Sequence, residues 1–426
     1  MKLAKSLLVN AVGLALPFSV QATDSEHFEG DFRPSPDGQH VVSVVHDTHY
    51  IPRGIEPIET DAFVTLKIRD SKGKDLFSVS IAEARRWADI GNGFVRTAWS
   101  SDSQTLAYCY KGKLSVIGVG DRKPHRLLDS TSSFRWVDNS NLLCVTEPLE
   151  GNSSFSVTEI STRDGTARTQ LQNQPARAFE GWFSSHYNQL SPDLKHVVFV
   201  NNTNVLIMRL LDTNSQKAIQ RELTPQYCWW DDAGSQCLVH GFEGPPSSYR
   251  DVIYLYETKD AAFTELTENL QHLHNNTNNF HFQPWKEDRV WSSDGTWFLI
   301  SSALNDSNNQ SFLGDLICVP DTWRCVCIQE VLGKDFYDPL IAPSGNKLGI
   351  IRAPTVRSSG DLYTVEIRAG TNGTPTFGKP QKIASDVPQI LFGDRLWCSW
   401  FWSADGKQLV VWNGRKFIYY QASGNQ

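Results

Sequence analysis

One phrase recurs along this chain and constrains its fold more tightly than any other feature. A leading residue, most often Trp, precedes a Ser-x-Asp-Gly turn, and an alternating apolar run follows. Near the C-terminus it reads "WSADGKQLVVW" from Trp402. Aligned on the leader, it appears earlier as "PSPDGQHVVSV" from Pro34, "WSSDSQTLAYC" from Trp99, "WVDNSNLLCVT" from Trp136 and "LSPDLKHVVFV" from Leu190. It returns as "WDDAGSQCLVH" from Trp230, "WSSDGTWFLIS" from Trp291 and "IAPSGNKLGII" from Ile341. The spacing runs from 37 residues (Trp99 to Trp136) to 65 (Pro34 to Trp99). A unit of that length is too small to bury a core alone and must stack on its neighbours.

Each copy reads as a tight hairpin. Asp37, Asp102, Asp193, Asp294 and Asp405 stand where a carboxylate accepts from nearby backbone N–H groups. Gly38, Gly295 and Gly406 then tolerate the positive φ that such a turn needs. The apolar run becomes the second strand. A third follows in "KLSVIGV" from Lys113, "VLIMRLL" from Val205, "VIYLYE" from Val252 and "LYTVEI" from Leu362, and a shorter fourth in "HRLLD", "QRELT" and "FTELT". Short antiparallel strands repeated in fours predict an all-β chain folded as a β-propeller. Eight four-stranded blades are expected, with seven as the alternative if the Ile341 or the Leu190 unit merges with a neighbour. The final unit stops after "KFIYYQ", so either residues 24–30 supply its fourth strand or it holds three. One stretch, "IAEARRWADI" at 81–90, has helical spacing through Ile81, Ala84 and Ala88 and predicts a short surface helix.

The cadence of "WSSDGTWFLIS", "VIYLYE" and "FTELT" resembles the WD-like β-propeller repeats of the Tol-B type and extends over nearly all the chain after Gly30. That resemblance implies the fold. It implies no one function, because such propellers are similar among envelope interaction proteins, the front domains of prolyl oligopeptidase-like peptidases and some oligosaccharide lyases. Tol-B itself carries a smaller α/β domain ahead of its propeller. Here the first repeat begins too soon after the expected cleavage site to leave room for one.

That cleavage site ends "MKLAKSLLVNAVGLALPFSVQA", where Lys2 and Lys5 precede an apolar run from Leu7 to Leu16 and then small residues. The pattern predicts a signal peptide over 1–22 and a single propeller domain over 23–426. The run falls short of the roughly 20 residues a membrane span needs. A periplasmic or secreted protein, peripheral rather than membrane-spanning, is therefore expected. Losing Lys2 and Lys5 leaves 38 basic against 47 acidic side chains, a mature charge of −9. Without a polybasic block, nucleic acid is a poor partner.

Eight Cys in an exported chain point to disulfides, and none has zinc-ligand spacing. If the hairpins close where their turns are centred, Cys228 faces Cys237 and Cys318 faces Cys325. Both pairs are candidate disulfides.

The connections sort by face. In an antiparallel blade the first-to-second and third-to-fourth turns share one face, and the second-to-third loops share the other with the links between blades. The first face is plain, "AGTNGTPTFG" being its longest turn. The second collects "HDTHYIPRGIEPIETD", "QNQPARAFEGWFSSHYN", "HGFEGPPSSYRD", "ENLQHLHNNTNNFHFQPWKED", "ALNDSNNQSFLGD" and "APTVRSSGD". Long loops concentrate binding. This face carries Tyr50, Arg53, Trp182, Phe183, Tyr187, Tyr249, Arg250, Trp285 and Arg357, residue types enriched at recognition hot spots.

No nucleophile elbow, H-E-x-x-H, Walker loop or dinucleotide fingerprint is present. The expectation is an exported, non-catalytic propeller without a cofactor, binding a protein or a cell-envelope component such as a glycan. One alternative rests on "HLHNNTNNFHF", whose His272, His274 and His281 could share a metal in a carbohydrate lyase or hydrolase. The oligogalacturonate lyases, a propeller family, are similar in using a His cluster on this face.

Overall fold

The computed structural model describes residues 25–51, 58–84, 95–146, 154–175, 189–200, 205–211, 216–244, 250–267, 281–282, 290–305, 311–322, 324–355, 358–392 and 395–422. Within them the repeated phrase folds as one recurring turn. Its leader pairs with the residue seven positions on, Trp99 with Leu106, Trp230 with Cys237, Trp402 with Leu409, except in the tighter Trp136 copy, where Trp136 pairs with Leu142. The residue after the leader closes the turn, as where Ser403 N donates to Gln408 O at 2.9 Å. Its hydroxyl does two further jobs. Ser403 Oγ donates to Asp405 at 2.7 Å and accepts from Gln408 N at 3.0 Å. Ser35, Ser100, Ser191 and Ser292 make the same pair of bonds. The next residue is left-handed whether or not it is Gly: φ is 70° at Gly38 and 68° at Gly406, but also 62° at Ser103 and 60° at Leu194. The side-chain clamp holds the turn, and Gly only lowers its strain.

These clamped carboxylates titrate low. The Ser100 hydroxyl and the Gln104 N–H hold Asp102 below its ordinary 3.8, and the Ser403 hydroxyl and Lys407 N–H do so for Asp405. Burial opposes the shift at Asp37 and Asp294, where the hydrogen bonds outweigh it. A folded value below the unfolded one gives stability that is complete above 3.8 and disappears as pH falls through the lowered values. Denaturant midpoints measured between about pH 5 and pH 2 should therefore fall steeply. An Asp102→Asn, Asp405→Asn variant should start lower and show a shallower fall; an unchanged slope would contradict the assignment.

The first sheet is β1 (Ser25–Pro34), β2 (His40–Ile51), β3 (Ile58–Asp70) and β4 (Asp75–Ala84). The second is β5 (Arg96–Trp99), β6 (Thr105–Tyr110), β7 (Lys113–Gly118) and β8 (His125–Leu128), and the third β9 (Thr131–Trp136), β10 (Asn141–Thr146), β11 (Ser154–Ser161) and β12 (Ala167–Pro175). The fourth has six strands: β13 (His196–Val200), β14 (Val205–Leu210), β15 (Gln216–Trp230), β16 (Gln236–Glu243), β17 (Arg250–Glu257) and β18 (Ala262–Glu265). In the fifth are β19 (His281–Phe282), β20 (Phe298–Asn305), β21 (Ser311–Val319) and β22 (Arg324–Cys327). The sixth comprises β23 (Phe336–Ile341), β24 (Lys347–Arg352), β25 (Gly360–Ala369), β26 (Pro375–Phe377) and β27 (Gln381–Val387). A separate hairpin, β28 (Gln389–Phe392) with β29 (Arg395–Cys398), precedes the last sheet of β30 (Trp400–Trp402), β31 (Gln408–Trp412) and β32 (Phe417–Gln421).

Among the described residues seven sheets thus carry three or more strands, and they are the seven blades of an all-β propeller built on a four-strand plan. Seven replaces the eight first expected. The Leu190 and Trp230 units share β15, which closes one unit with its first half and opens the next with its second. Its pairing slips between Pro225 and Tyr227, and the two halves of the six-stranded sheet pack on each other over Val198, Met208, Leu223, Cys228 and Val252. All eight turns survive, but one pair lies within a single sheet.

Apolar clusters join the other neighbours in turn, and the ring closes by packing. Phe32 and Val41 of the first sheet meet Phe401, Val410, Trp412 and Phe417 of the last. The Arg69 guanidinium lies 4.5 Å over the Trp412 ring, and the Tyr419 hydroxyl donates to Ser71 O at 2.8 Å. Gly73, at φ 92°, sits so close that a Cβ would fall 2.9 Å from Lys416 Cα. Residues 25–30 extend β1 and supply no strand to the last sheet, which holds three. Two further expectations change. Ile81–Ala84 belong to β4, where Ala82 faces Val64, and residues 85–90 lie outside the described residues. The long "AGTNGTPTFG" turn folds into β26, a fifth strand on the sixth blade.

The inner strands explain the Trp leaders. Trp99 Nε1 donates to Arg33 O at 3.2 Å, Trp136 Nε1 to Ala98 O at 3.0 Å, Trp291 Nε1 to Trp229 O at 2.9 Å and Trp402 Nε1 to Leu340 O at 3.0 Å. Each acceptor immediately precedes the leader one unit earlier. Four of the eight copies are thus fastened to the one before them, while the Trp230 indole N–H finds no acceptor among the described residues.

Candidate functional site

The plain face is occupied by its own turns. Asp37 N donates to Ser103 Oγ, Asp102 N and Ser101 Oγ donate to Asn139 Oδ1, and Ser293 Oγ donates to Pro343 O. A Cβ on Gly406 would approach Ser344 N to 3.1 Å, and one on Gly234 would touch Asp193. Neighbouring turns brace one another, which leaves the face little adaptable surface.

At the other ends of the strands the bounds leave 52–57, 147–153, 244–249, 306–310 and 353–359 between second and third strands, and longer links at 85–95 and 266–280, most of these residues being outside the described ones. Arg53, Trp182, Phe183, Tyr187, Tyr249, Trp285, Arg357, His272 and His274 lie outside the described residues. Tyr50 is placed near the end of β2, opposite Glu59, and His281 in β19, opposite Ala303. Among the described residues no three His, Cys, Asp or Glu side chains form a group that could hold a metal.

Arg250 is the one predicted binding residue whose side chain is described, and its surroundings are built by register. Arg250 opens β17 opposite Glu243, the last residue of β16. Its Nη2 lies 2.8 Å from Glu243 Oε2 and 2.9 Å from Glu265 Oε1. The hydrogen bond to Glu243 and the Glu265 charge hold the guanidinium above its usual range. Tyr254 Oη donates to Glu243 from beneath. On the other face of the β16–β17 pair, the buried His240 places Nε2 3.0 Å from Oδ1 of the half-buried Asp251. The imidazole lies between the rings of Tyr227 and Phe242, each 5.8 Å away.

Arg250 is 40% exposed and fixed by two carboxylates, so it offers its remaining N–H donors at the rim without swinging. His240 is 1% exposed and ties β16 to β17 through Asp251. Sequence reasoning singled out Arg250 but not the Glu243, Glu265 and Tyr254 side chains that gather around it. The signal was the opposite charges flanking the 244–249 loop, legible only once β16 and β17 are paired.

The cysteines divide. Cys318 faces Cys325 and is disulfide-bonded to it. Cys228 faces Val239, not Cys237, and both thiols are buried and free. The expected register took "DDAG" as the whole loop, whereas the turn closes from Asp231 N to Gln236 O, so Cys237 stands opposite Trp230.

No protein-family model matches the chain, and no curated protein matches it. Solved structures give weak likenesses. The β-propeller domain of the Trilobed protease from Pyrococcus furiosus is 12% identical at a TM-score of 0.42, covering 93% of this chain and 95% of that one. An oligogalacturonate lyase in complex with manganese is 12% identical at 0.43, over 92% and 97%. The tricorn protease is 10% identical at 0.43, and this chain spans only 43% of it while 92% of this chain is covered. A putative TolB from Agrobacterium tumefaciens is 14% identical at 0.28, over 81% and 93%. The seven-bladed assignment accordingly rests on the strand pairing itself, and none of these likenesses identifies a function.

Proposed function

We propose that this protein is an exported, non-catalytic propeller of the Tol-B type that binds a protein or cell-envelope component through its loop-rich face. One observation carries the reading: the turns at one end of the strands are bonded to one another, while the strand bounds leave the long connections at the other end, where Arg250 is held by Glu243 and Glu265. Scaffolds that separate a rigid side from a looped side bind on the looped side. The signal-peptide pattern puts that partner in the periplasm or outside the cell. Among the described residues no helix is long and apolar enough to cross a membrane.

The test is affinity capture from envelope extract with the mature protein beside a Trp182→Ala, Tyr249→Ala variant. A protein retained by the wild type and depleted at least about tenfold by the variant is expected, the size of a typical hot-spot loss. If no protein is retained, and bound metal survives desalting but is lost in a His272→Ala, His274→Ala variant, the reading fails in favour of metal-assisted carbohydrate chemistry.

A further inference from the structure

Among the described residues the last blade holds three strands, and its outer edge is open. Among the described residues every other third strand carries an outer neighbour: β3 has β4, β7 has β8, β11 has β12, β17 has β18, β21 has β22, and β25 has β26 and β27. β32 is the outermost strand of its sheet. Two bonds set the alternation of the β31–β32 pair, Asn413 N to Lys416 O at 3.3 Å and Ala422 N to Lys407 O at 2.9 Å. Counting between them, the backbone groups of Ile418 and Tyr420 face β31, and those of Phe417, Tyr419 and Gln421 face outward. Among the described residues no backbone partner meets that outward row.

Sheet edges are ordinarily blunted by charge, Pro or a bulge, because an unpaired row templates another strand. "FIYYQ" has no charge and no Pro, and its pairing with β31 is unbroken. Tyr419 is 38% exposed. Cations stand at both ends instead. At the start of β32 are exposed Arg415 and Lys416, with exposed Lys72 and Lys74 on the turn that Gly73 seats against Lys416. The nearby Asp70 is turned to the backbone N–H groups of Lys72 and Lys74, at 2.9 Å each. At the far end a cavity of about 420 Å³ is lined by Lys347, Arg368, Lys379, Gln381, Glu366 and Ala422, the residue that follows β32; Arg368 pairs with Glu366 and Lys347 Nζ donates to Ala422 O, which leaves the lining with an excess of two cations.

We infer that the open edge of β32 takes an extended segment of a partner polypeptide as the missing fourth strand, and that the segment is acidic at both ends. Backbone pairing would supply affinity and the flanking cations the selection, as in other strand-addition modes. A five-residue strand rises about 17 Å, so the acidic groups should stand about six residues apart. Charge chooses between occupants. In a protein of net charge −7 this edge is locally basic, so a second copy would bring cation against cation, and one short strand buries too little for a stable dimer. The site is separate from the loop-rich face, and either proposal can fail without the other.

The probe is a fluorescein-labelled nonapeptide of alternating Thr and Val with two Glu at each end, read by polarisation against the mature full chain. It should bind at least tenfold more tightly than the same peptide with Lys ends, and binding should weaken as salt rises. Gln421→Pro removes one outward N–H and no bond to β31, so it should cut affinity at least tenfold with the thermal midpoint little changed. Arg415→Glu with Lys416→Glu should narrow or reverse the preference, and Arg250→Ala should leave binding unchanged. Amide exchange at Tyr419 and Gln421 should slow on adding the peptide. No binding, or binding indifferent to Gln421→Pro and to the charge reversal, would overturn the inference. A dimer by light scattering that Gln421→Pro converts to monomer would overturn it in favour of self-pairing.

Discussion

Replacing Arg69 with Ala should cost about 3–5 kcal/mol of stability, the usual cost of removing one partner from a buried ion pair. Arg69 is 3% exposed and Glu29 8%. The guanidinium binds Glu29 through two nitrogens, lies 2.9 Å from Ser43 Oγ and 2.6 Å from Asp75, and covers the face of Trp412 in the last sheet. Its loss leaves the Glu29 carboxylate buried without a cation and removes a contact across the seam that closes the ring. Glu29→Gln paired with Arg69→Met should cost less than Arg69→Ala alone, because neither partner is then left as an uncompensated charge. Denaturant unfolding of the three variants checks this, and hydrogen exchange locates it. Loss of protection should appear first along β1 and β31, at the seam. A double variant as unstable as Arg69→Ala would show that the charge pair is not what holds the seam.

Trp402→Ala should be comparably severe, about 3–5 kcal/mol for deleting a large buried aromatic. The indole is 0% exposed and packs with Leu409, Val411 and Leu362 across the sixth and seventh blades. Trp402→Phe separates packing from hydrogen bonding. It keeps most of the ring and removes only the bond to Leu340 O, so about 1–3 kcal/mol is expected. The partly exposed leader Trp136 makes the same kind of bond to Ala98 O and should lose less on truncation to Ala. Equal losses at Trp402 and Trp136 in thermal or denaturant unfolding would mean that the fastening between units does not depend on burial.

Local chemistry was the legible part. Ser-x-Asp after a leader specifies its turn within a few residues, so the turns, most strands and the Cys318–Cys325 pairing could be read before any long-range contact was known. Register within a turn was less secure. Counting "DDAG" as the loop misplaced Cys237 by two positions, because Asp231 N donates to Gln236 O and the loop is 232–235, one residue later than counted. Sheet count was harder still. Between "QRELT" and "YCWW" only Pro225 interrupts the apolar pattern, and a Pro permits a bend without ending a strand, so β15 serves two units. The His240–Asp251 contact and the Arg250 ion pairs depend on residues facing one another across the 244–249 loop, which hydrophobic periodicity does not encode.

The division of labour between the faces is the central claim, and a contact footprint tests it most directly. Photo-crosslinking of the mature protein in envelope extract, followed by mass spectrometric mapping of the linked peptides, should place partner contacts within 52–57, 176–188, 245–249 and 268–280 and around Arg250. Contacts confined to the turns at 35–39, 100–104, 292–296 and 403–407 would contradict the account.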